Sequence, residues 1–465
     1  MSIDPSIFKA YDIRGIYPSQ INEENIGVVV AAIYQFLKKN LQKDSLTVVL
    51  GRDMRVSSPS LTKKALETLI QYGAQVTDIG LVSTPTFYFA VLEGQYDVGI
   101  QVSASHNPKQ YNGLKFVKRS GNSLIKIGES TGMHQVKELA LAGNFESATA
   151  KGTVKTVADS VVKEVDAAMQ AVNWHNIKKF KIVADPGNAM AALYIEELFK
   201  RLPCELIKMN FELDGNFPAH QPDPLQFDTL KSLQKRVLDE RADLGIAPDG
   251  DGDRVFFINE KGAVVPATLI TSLIAKEILT KAPGEKIIAD IRAIMNVESV
   301  CEKYKGKFLL SKVGHALITE QLNNEQAAFA GESSGHYYFR ETGGAESSVR
   351  VILYLLEAMG KWNQPVSRLL QEFSSAFESG EYNFTLPASV NAKELLESIS
   401  QSYSDGQIFH LDGLAVDYPD WRFNIRSSNT EPLLRLNVEA NSEAQMKEKL
   451  GILIETIQKS GAKRK

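Results

Sequence analysis

The chain has only two cysteines, Cys204 and Cys301, and no CxxC spacing, so neither a disulfide framework nor a structural zinc site is indicated and a reducing compartment is expected. No stretch approaches the roughly 18 apolar residues of a membrane span, and residues 1–11 carry no basic segment leading into an apolar run. A cytoplasmic protein without membrane contact is therefore expected. Positive charge is not in excess: 52 Lys+Arg face 56 Asp+Glu, a net charge of −4, which leaves no field to draw nucleic acid. The basic tail Ala462-Lys463-Arg464-Lys465 reads as solvated terminus. There is no Walker A sequence and no strand-linked GxGxxG, so a nucleotide cofactor is not implied. No Gly/Ser-rich or Pro-rich linker marks a boundary, and nothing signals an obligate protein partner.

What remains is 465 residues that are 43% hydrophobic and 23% charged, the profile of a globular protein of three or four domains. Apolar periodicity predicts strands at 46–50, 75–79 and 98–102, with helices from 58 and at 85–92 between them. The rhythm returns with a strand at 180–184, a helix at 189–199, an amphipathic segment at 230–238 and a strand at 242–247. A helix at 268–279 and strands at 286–290 and 308–312 sketch a third unit. Such alternation argues for βαβ units in a parallel sheet with helices on both faces. The last hundred residues read differently, with strands at 382–386, 414–416 and 433–439 and helices at 392–399 and 442–457. The expected division is 1–153, 154–258, 259–369 and a smaller α+β domain, 370–465.

Four loops carry chemistry. Ser103-Ala104-Ser105-His106-Asn107-Pro108 follows a predicted strand, where α/β proteins place ligands. Asp249-Gly250-Asp251-Gly252-Asp253-Arg254 alternates carboxylates with glycines, so three oxygens converge on one cation at little steric cost. Asp249, Asp251, Asp253 and Glu260 match four EF-hand positions, but Arg254 stands where that loop needs glycine and 255–258 reads as a strand. Hard oxygen ligands followed by an arginine suit Mg²⁺ beside a phosphate. Arg426-Ser427-Ser428-Asn429-Thr430-Glu431-Pro432 offers a guanidinium, hydroxyls and an amide to a dianionic phosphate. Gly331-Glu332-Ser333-Ser334-Gly335-His336 suits sugar hydroxyls, which both donate and accept.

With Phe8-Lys9-Ala10-Tyr11-Asp12-Ile13-Arg14-Gly15 and Gly51-Arg52-Asp53, these loops in this order resemble the α-D-phosphohexomutase superfamily, most of all its bacterial and archaeal phosphomannomutase/phosphoglucomutase members. The resemblance covers nearly the whole chain. It implies an α/β fold of three similar mixed α/β domains and a smaller C-terminal α+β domain around a central cleft. It further implies that Ser105 carries a phosphoryl group, that Asp249, Asp251 and Asp253 hold Mg²⁺ with the Ser105 oxygen, and that Arg14 and Lys115 sit by the reacting hydroxyl. The phosphoserine at about −2, three aspartates and one Mg²⁺ leave about −3 to be met by cations such as Arg14, Lys115 and Arg254.

The implied reaction interconverts hexose 1- and 6-phosphates through a glucose or mannose 1,6-bisphosphate, which is also the activator. His106, adjacent to the nucleophile, is the general acid/base candidate from chemistry alone, with Arg14 and Lys115 as its rivals. Tyr11 and His315 are implied substrate contacts. Glu332 and Ser334 would bind the O3 and O4 hydroxyls, and His336 either contacts substrate or orients Glu332. Arg426, Ser428, Asn429 and Thr430 would clamp the phosphate that is not reacting. Ser333 at the variable third position of the sugar loop favours mannose and glucose over glucosamine. Phosphoglucosamine mutase is the alternative within the family, and a serine-dependent metal phosphohydrolase, which has no use for a second phosphate clamp, the alternative outside it. Gly343-Gly344-Ala345-Glu346 departs from the acidic Asp-Gly-type segment of relatives.

Overall fold

Helix signals and strand periodicity place the elements that carry these loops, over residues 3–145, 148–387, 389–427 and 433–465, which the computed structural model describes. The chain divides into two units: Met1–Val265 with Ser334–Leu369, and Pro266–Ser333 with Leu370–Lys465.

In the first unit, strands Val98–Val102, Thr47–Arg52, Gln75–Leu81 and Thr153–Thr156 run parallel. Tyr111–Ser120 adds antiparallel to Val98–Val102, and Ile13–Ile16 adds antiparallel to Tyr111–Ser120. The sheet is therefore mixed rather than purely parallel, because the loop 103–110 returns the chain without a helix and places Tyr111–Ser120 beside the strand that precedes it, which an alternating βαβ reading cannot anticipate. A second sheet repeats the plan with parallel strands Leu244–Pro248, Lys181–Ala184 and Glu205–Lys208, and the hairpin strand Val255–Asn259 antiparallel to the first of these.

Local chemistry explains the helices. Asn22 caps Glu23–Leu41 by accepting from the backbone of Glu24 and Asn25, with Glu23 and Glu24 in the first turn and Lys38 and Lys39 in the last, as the helix dipole favours. Ile26, Val29, Val30, Ile33 and Leu37 bury one face of it against Val48, Leu50, Leu61 and Leu69 in one core cluster. Helix Thr84–Glu93 starts at Ser83, whose hydroxyl accepts from Thr86 N. The loops after Thr47–Arg52, Val98–Val102 and Leu244–Pro248 all leave the C-terminal ends of parallel strands, where α/β sheets gather ligands.

Helix Ser160–Met169 carries Glu164, which is buried and hydrogen-bonded by the Thr86 hydroxyl. Burial pushes its carboxyl from 4.5 up to about 7, against the lowering effect of Thr86 and Arg350. A folded-state value above the unfolded one gives stability that is complete below pH 4.5 and lost as the pH rises to about 7. The loss amounts to about 3 kcal/mol. Glu164→Gln is therefore expected to flatten that decline and to be the more stable protein at pH 8 by up to about 3 kcal/mol. Urea midpoints at pH 5 and pH 8 measure it, and parallel pH slopes for variant and wild type would count against it.

In the second unit, strands Lys307–Ser311, Lys286–Asp290 and Phe329–Gly331 run parallel, with Lys286–Asp290 in the middle. Strands Leu414–Asp417, Trp421–Ser427, Leu433–Ala440 and Tyr382–Thr385 form an antiparallel sheet, backed by helix Glu443–Lys459 through Met446, Leu450, Leu453 and Ile457. The basic tail is not free: Lys463 and Arg464 pair with Thr385 and Phe384 as an edge strand, with the Arg464 guanidinium 4.4 Å from the Tyr382 ring centroid. Unpaired backbone at the sheet edge supplies the donors and acceptors that a solvated tail would have left to water. Among the described residues no helix is long and apolar enough to cross a membrane.

Candidate active site

The acidic loop turns between strands Leu244–Pro248 and Val255–Asn259. Asp249 Oδ1 accepts from Gly252 N at 3.0 Å and from Arg254 N at 3.2 Å, which closes the loop on itself. Gly252 takes a φ of +80°, open to glycine, and its carbonyl accepts from Tyr194 Oη at 3.2 Å and Ser348 Oγ at 2.9 Å. One oxygen from each of Asp249, Asp251 and Asp253 lies within 4.8 Å of the others, and all three residues are buried. Among the described residues Asp251 Oδ1 has no hydrogen-bond partner. Three converging carboxylates that still hold an orphaned buried oxygen fit a divalent cation. The EF-hand alternative fails here: Val255–Asn259 is a strand, and Glu260 accepts from Ser367 N at 3.1 Å.

The serine loop meets this acidic loop backbone to backbone. A Cβ on Gly250 would lie 2.5 Å from Ser105 O, so only glycine permits the approach. Ser105 itself sits at φ +52°, a left-handed conformation for a residue with a side chain. Its N–H donates to Ser103 Oγ at 3.0 Å, and its Oγ lies 3.3 Å from both Asp249 Oδ2 and His106 Nδ1.

Cations are placed by strand register. Lys115 lies opposite Gln101 on Tyr111–Ser120, and its Nζ is 2.6 Å from both Asp251 Oδ2 and Asp253 Oδ2. Burial pushes that ammonium down, but Asp251 and Asp253 prevail and hold it well above its ordinary value. Burial pushes the Asp249 carboxyl well up, helped by Asp253 and Asp251; Asp253, despite its own burial, is held well below the usual carboxylate range by Lys115 and His336. Arg14 stands opposite Gly113 in the sheet and donates to Asn107 Oδ1 and Asp12 Oδ2, each at 2.5 Å. Burial, then Arg254 and Arg14, push the His106 imidazole well below its ordinary value, which favours the neutral ring. His336 Nε2 lies 3.4 Å from Asp253 Oδ1 and 3.3 Å from Arg254 Nε, and its Nδ1 is 3.0 Å from Ser334 Oγ. Tyr11 is half-buried, two residues before the strand Ile13–Ile16.

His315, Glu332 and Arg426, singled out in the sequence, belong to the second unit. Gly314, at φ +141°, opens helix His315–Glu325 and donates its N–H to Glu332 Oε1 at 3.3 Å, which brings His315 and Glu332 to neighbouring loops. Arg292 is 3.6 Å from Glu332. Arg426 donates to Glu381 Oε2 at 2.9 Å; burial, then the charge of Arg292, pushes its guanidinium down from its ordinary value. Concentrated positive charge of this kind favours an arriving dianion. Ser428, Asn429 and Thr430 lie outside the described residues.

The chain matches known domains in the same order as these loops. Residues 5–138 match the phosphoglucomutase/phosphomannomutase alpha/beta/alpha domain I, 158–262 domain II, 268–377 domain III and 386–450 the C-terminal domain. Across 463 residues it is 37% identical to a phosphomannomutase of Vibrio cholerae, covering 97% of this chain and 98% of that one. The chain belongs to the phosphoglucomutase/phosphomannomutase family. A phosphomannomutase of Methanocaldococcus jannaschii is 35% identical over 460 residues and 96% of each chain. The solved structure of a phosphoglucomutase/phosphomannomutase family protein from Burkholderia thailandensis superposes with a TM-score of 0.87, at 30% identity and 99% coverage of both chains.

Sequence reading missed several residues that this phosphohexomutase fold brings to the loops. Thr84, the first residue of its helix, donates through Oγ1 to Asp251 Oδ2 at 2.5 Å and through N to Asp251 O at 2.8 Å. Gln221 Nε2 donates to His106 O. Glu346, singled out only as part of the segment 343–346 and given no role there, is buried, 2.5 Å from Lys126 Nζ, and its carboxylate gathers with Asp253 and His336. Arg292 follows a strand end and could have been flagged by that position. The others had no local signal, because their partners are distant in the chain.

Proposed function

We propose that this family member interconverts hexose 1-phosphates and hexose 6-phosphates with Ser105 as the phosphoryl carrier. The reading is carried by one observation: the Ser105 hydroxyl sits 3.3 Å from Asp249 and 3.3 Å from His106, on a strained loop pressed against three buried carboxylates. In the first transfer the P–Oγ bond breaks as a bond from phosphorus to a sugar hydroxyl oxygen forms, and one proton passes from that hydroxyl to the serine oxygen; in the second the phosphorus–sugar oxygen bond breaks, the P–Oγ bond reforms and the proton returns to the sugar oxygen. The neutral His106 ring, its Nδ1 3.3 Å from Ser105 Oγ, is the base at the serine end, taking the proton as Ser105 attacks the 1,6-bisphosphate. Arg14 and Lys115 offset the negative charge that spreads over the transferring oxygens.

Asp249, Asp251, Asp253 and the Ser105 oxygen would hold magnesium, which when bound neutralises charge on the phosphoryl group. Arg254 and His336 steady Asp249 and Asp253. Tyr11, His315, Glu332 and Ser334 contact the sugar, and Arg426 with Ser428, Asn429 and Thr430 holds the other phosphate. Recognition through O3 and O4 accepts mannose and glucose alike, since the two differ only at C2. Phosphosugars are the partners, a glucose or mannose 1,6-bisphosphate the activator, and the cytoplasm the location. The division at 153, 258 and 369 gives each loop its own domain.

The test is ³¹P NMR of the full chain with magnesium, a trace of glucose 1,6-bisphosphate and, in separate tubes, mannose, glucose or glucosamine 1-phosphate. The 6-phosphate is expected from mannose and glucose, and none when EDTA replaces magnesium. Conversion of glucosamine alone would move the specificity to phosphoglucosamine mutase; free inorganic phosphate, or no change in any tube, would overturn the mutase reading.

A further inference from the structure

Asp53, Met54 and Arg55 leave the C-terminal end of strand Thr47–Arg52, and the Arg55 side chain has no place in the transfer itself. It is wholly buried, at 0% exposure. A guanidinium has five N–H donors, and all five bonds are made here. Nε is 3.1 Å from Asp53 Oδ2. One terminal nitrogen donates to Pro108 O at 2.9 Å and Tyr111 O at 3.0 Å. The other donates to Ser105 O at 2.6 Å and Asn107 O at 2.7 Å. The Phe217 ring covers the cation, its centroid 5.2 Å from the guanidinium carbon. Asp53 is anchored in turn, its Oδ1 accepting from Arg55 N at 3.0 Å and Ser58 Oγ at 2.5 Å.

Four of the five acceptors are main-chain carbonyls, three in the loop that carries Ser105 and the fourth on Tyr111, where that loop enters the next strand. We infer that Arg55 is the positioning residue of that loop, holding Ser105 in its left-handed conformation by drawing four carbonyls onto one planar cation. The inference rests on the reading of Ser105 as phosphoryl carrier. A residue with a side chain keeps a positive φ only where its surroundings impose it, and here the carbonyl of Ser105 itself is engaged. The constraint matters most once Ser105 is phosphorylated. A dianion beside Asp249, Asp251 and Asp253 is repelled, and a loop held only by its own turn would swing away from them. A buried cation saturated by that loop's carbonyls resists the swing. Lysine cannot substitute, because an ammonium offers three donors from a single point and no planar fork.

The experiment compares full-length wild type and Arg55→Lys with mannose 1-phosphate, magnesium and glucose 1,6-bisphosphate, with folding followed by circular dichroism and phosphoserine by intact mass. Arg55→Lys is expected to accept the phosphoryl group yet lose at least about 30-fold in kcat with KM changed less than about threefold, since misplaced reacting atoms cost the transition state more than ground-state binding. A kcat within about threefold of wild type, or a raised KM with kcat intact, overturns the inference. Wild type without phosphoserine or turnover would instead overturn the mutase reading, so the two failures are told apart. Should Arg55→Lys not fold, Asp53→Asn keeps an acceptor for Nε while removing the charge; about a fivefold loss in kcat at constant KM is expected, and an unchanged kcat overturns the inference.

Discussion

Ser105→Ala is expected to leave mannose 1-phosphate turnover at least about 10⁴-fold below wild type while the protein stays folded, because the phosphoryl carrier is gone and no neighbouring group replaces it. The structure separates the chemical loss from a folding defect. Among the described residues the Ser105 hydroxyl makes two long contacts, 3.3 Å each to Asp249 and His106, so its removal is worth about 1 kcal/mol at most. The bonds that shape the loop run through the Ser105 main chain, to Ser103 Oγ and from Arg55, and alanine keeps them. Alanine also tolerates the φ of +52° no worse than serine does. Melting temperature and a coupled assay on one preparation decide the matter. An alanine variant with full turnover would remove the phosphoserine mechanism, and one that has lost its fold would contradict the structural argument.

Lys115→Met is expected to lower kcat by about 10² to 10⁴-fold, the range seen when a charge-stabilising or proton-transferring group is removed from a closed site. The Lys115 ammonium lies 2.6 Å from Asp251 and from Asp253, and with His336 it holds Asp253 well below the usual carboxylate range against the effect of burial. Without it Asp253 binds a proton more readily, so the acid limb of the pH–rate profile moves to higher pH. Two buried carboxylates also lose their shared ammonium, keeping Thr84 on Asp251 and His336 on Asp253, a change that destabilises by about 3 kcal/mol. Excess magnesium should recover part of that stability, since it compensates the same carboxylates. A kcat within threefold of wild type, or an acid limb that does not move, would exclude Lys115 from the site.

The two variants bear on different layers of what could be read in advance. The acidic loop was legible because its chemistry is local, carboxylates spaced by glycines in one turn, and the serine loop offered a hydroxyl just past the strand Val98–Val102; that Ser105 carries the phosphoryl group came from the resemblance. The role of Lys115 came only from resemblance, since nothing around it in the chain distinguishes it from a surface lysine. Its burial follows from Tyr111–Ser120 pairing with Val98–Val102. That strand escaped pattern reading because six consecutive residues, Asn112 to Val117, are buried, which erases the alternation that marks a half-exposed strand. Helix Ser348–Trp362 escaped for a related reason, its apolar run from Val351 to Leu356 carrying no period that separates helix from strand.

Sequence by itself determined the order of the functional loops, their placement at strand ends and the kind of chemistry each offers, because donor type, glycine spacing and capping residues act over a few positions. Tertiary structure alone decided which charges meet. Arg55 finds its acceptors about fifty positions away, at Ser105, Asn107, Pro108 and Tyr111. Lys115 meets Asp251 and Asp253 across more than a hundred. Thr84 reaches Asp251 over a similar span. Electrostatic energy depends on distance and burial rather than on separation along the chain, so the state of each titrating group was settled only when the sheets brought those loops together.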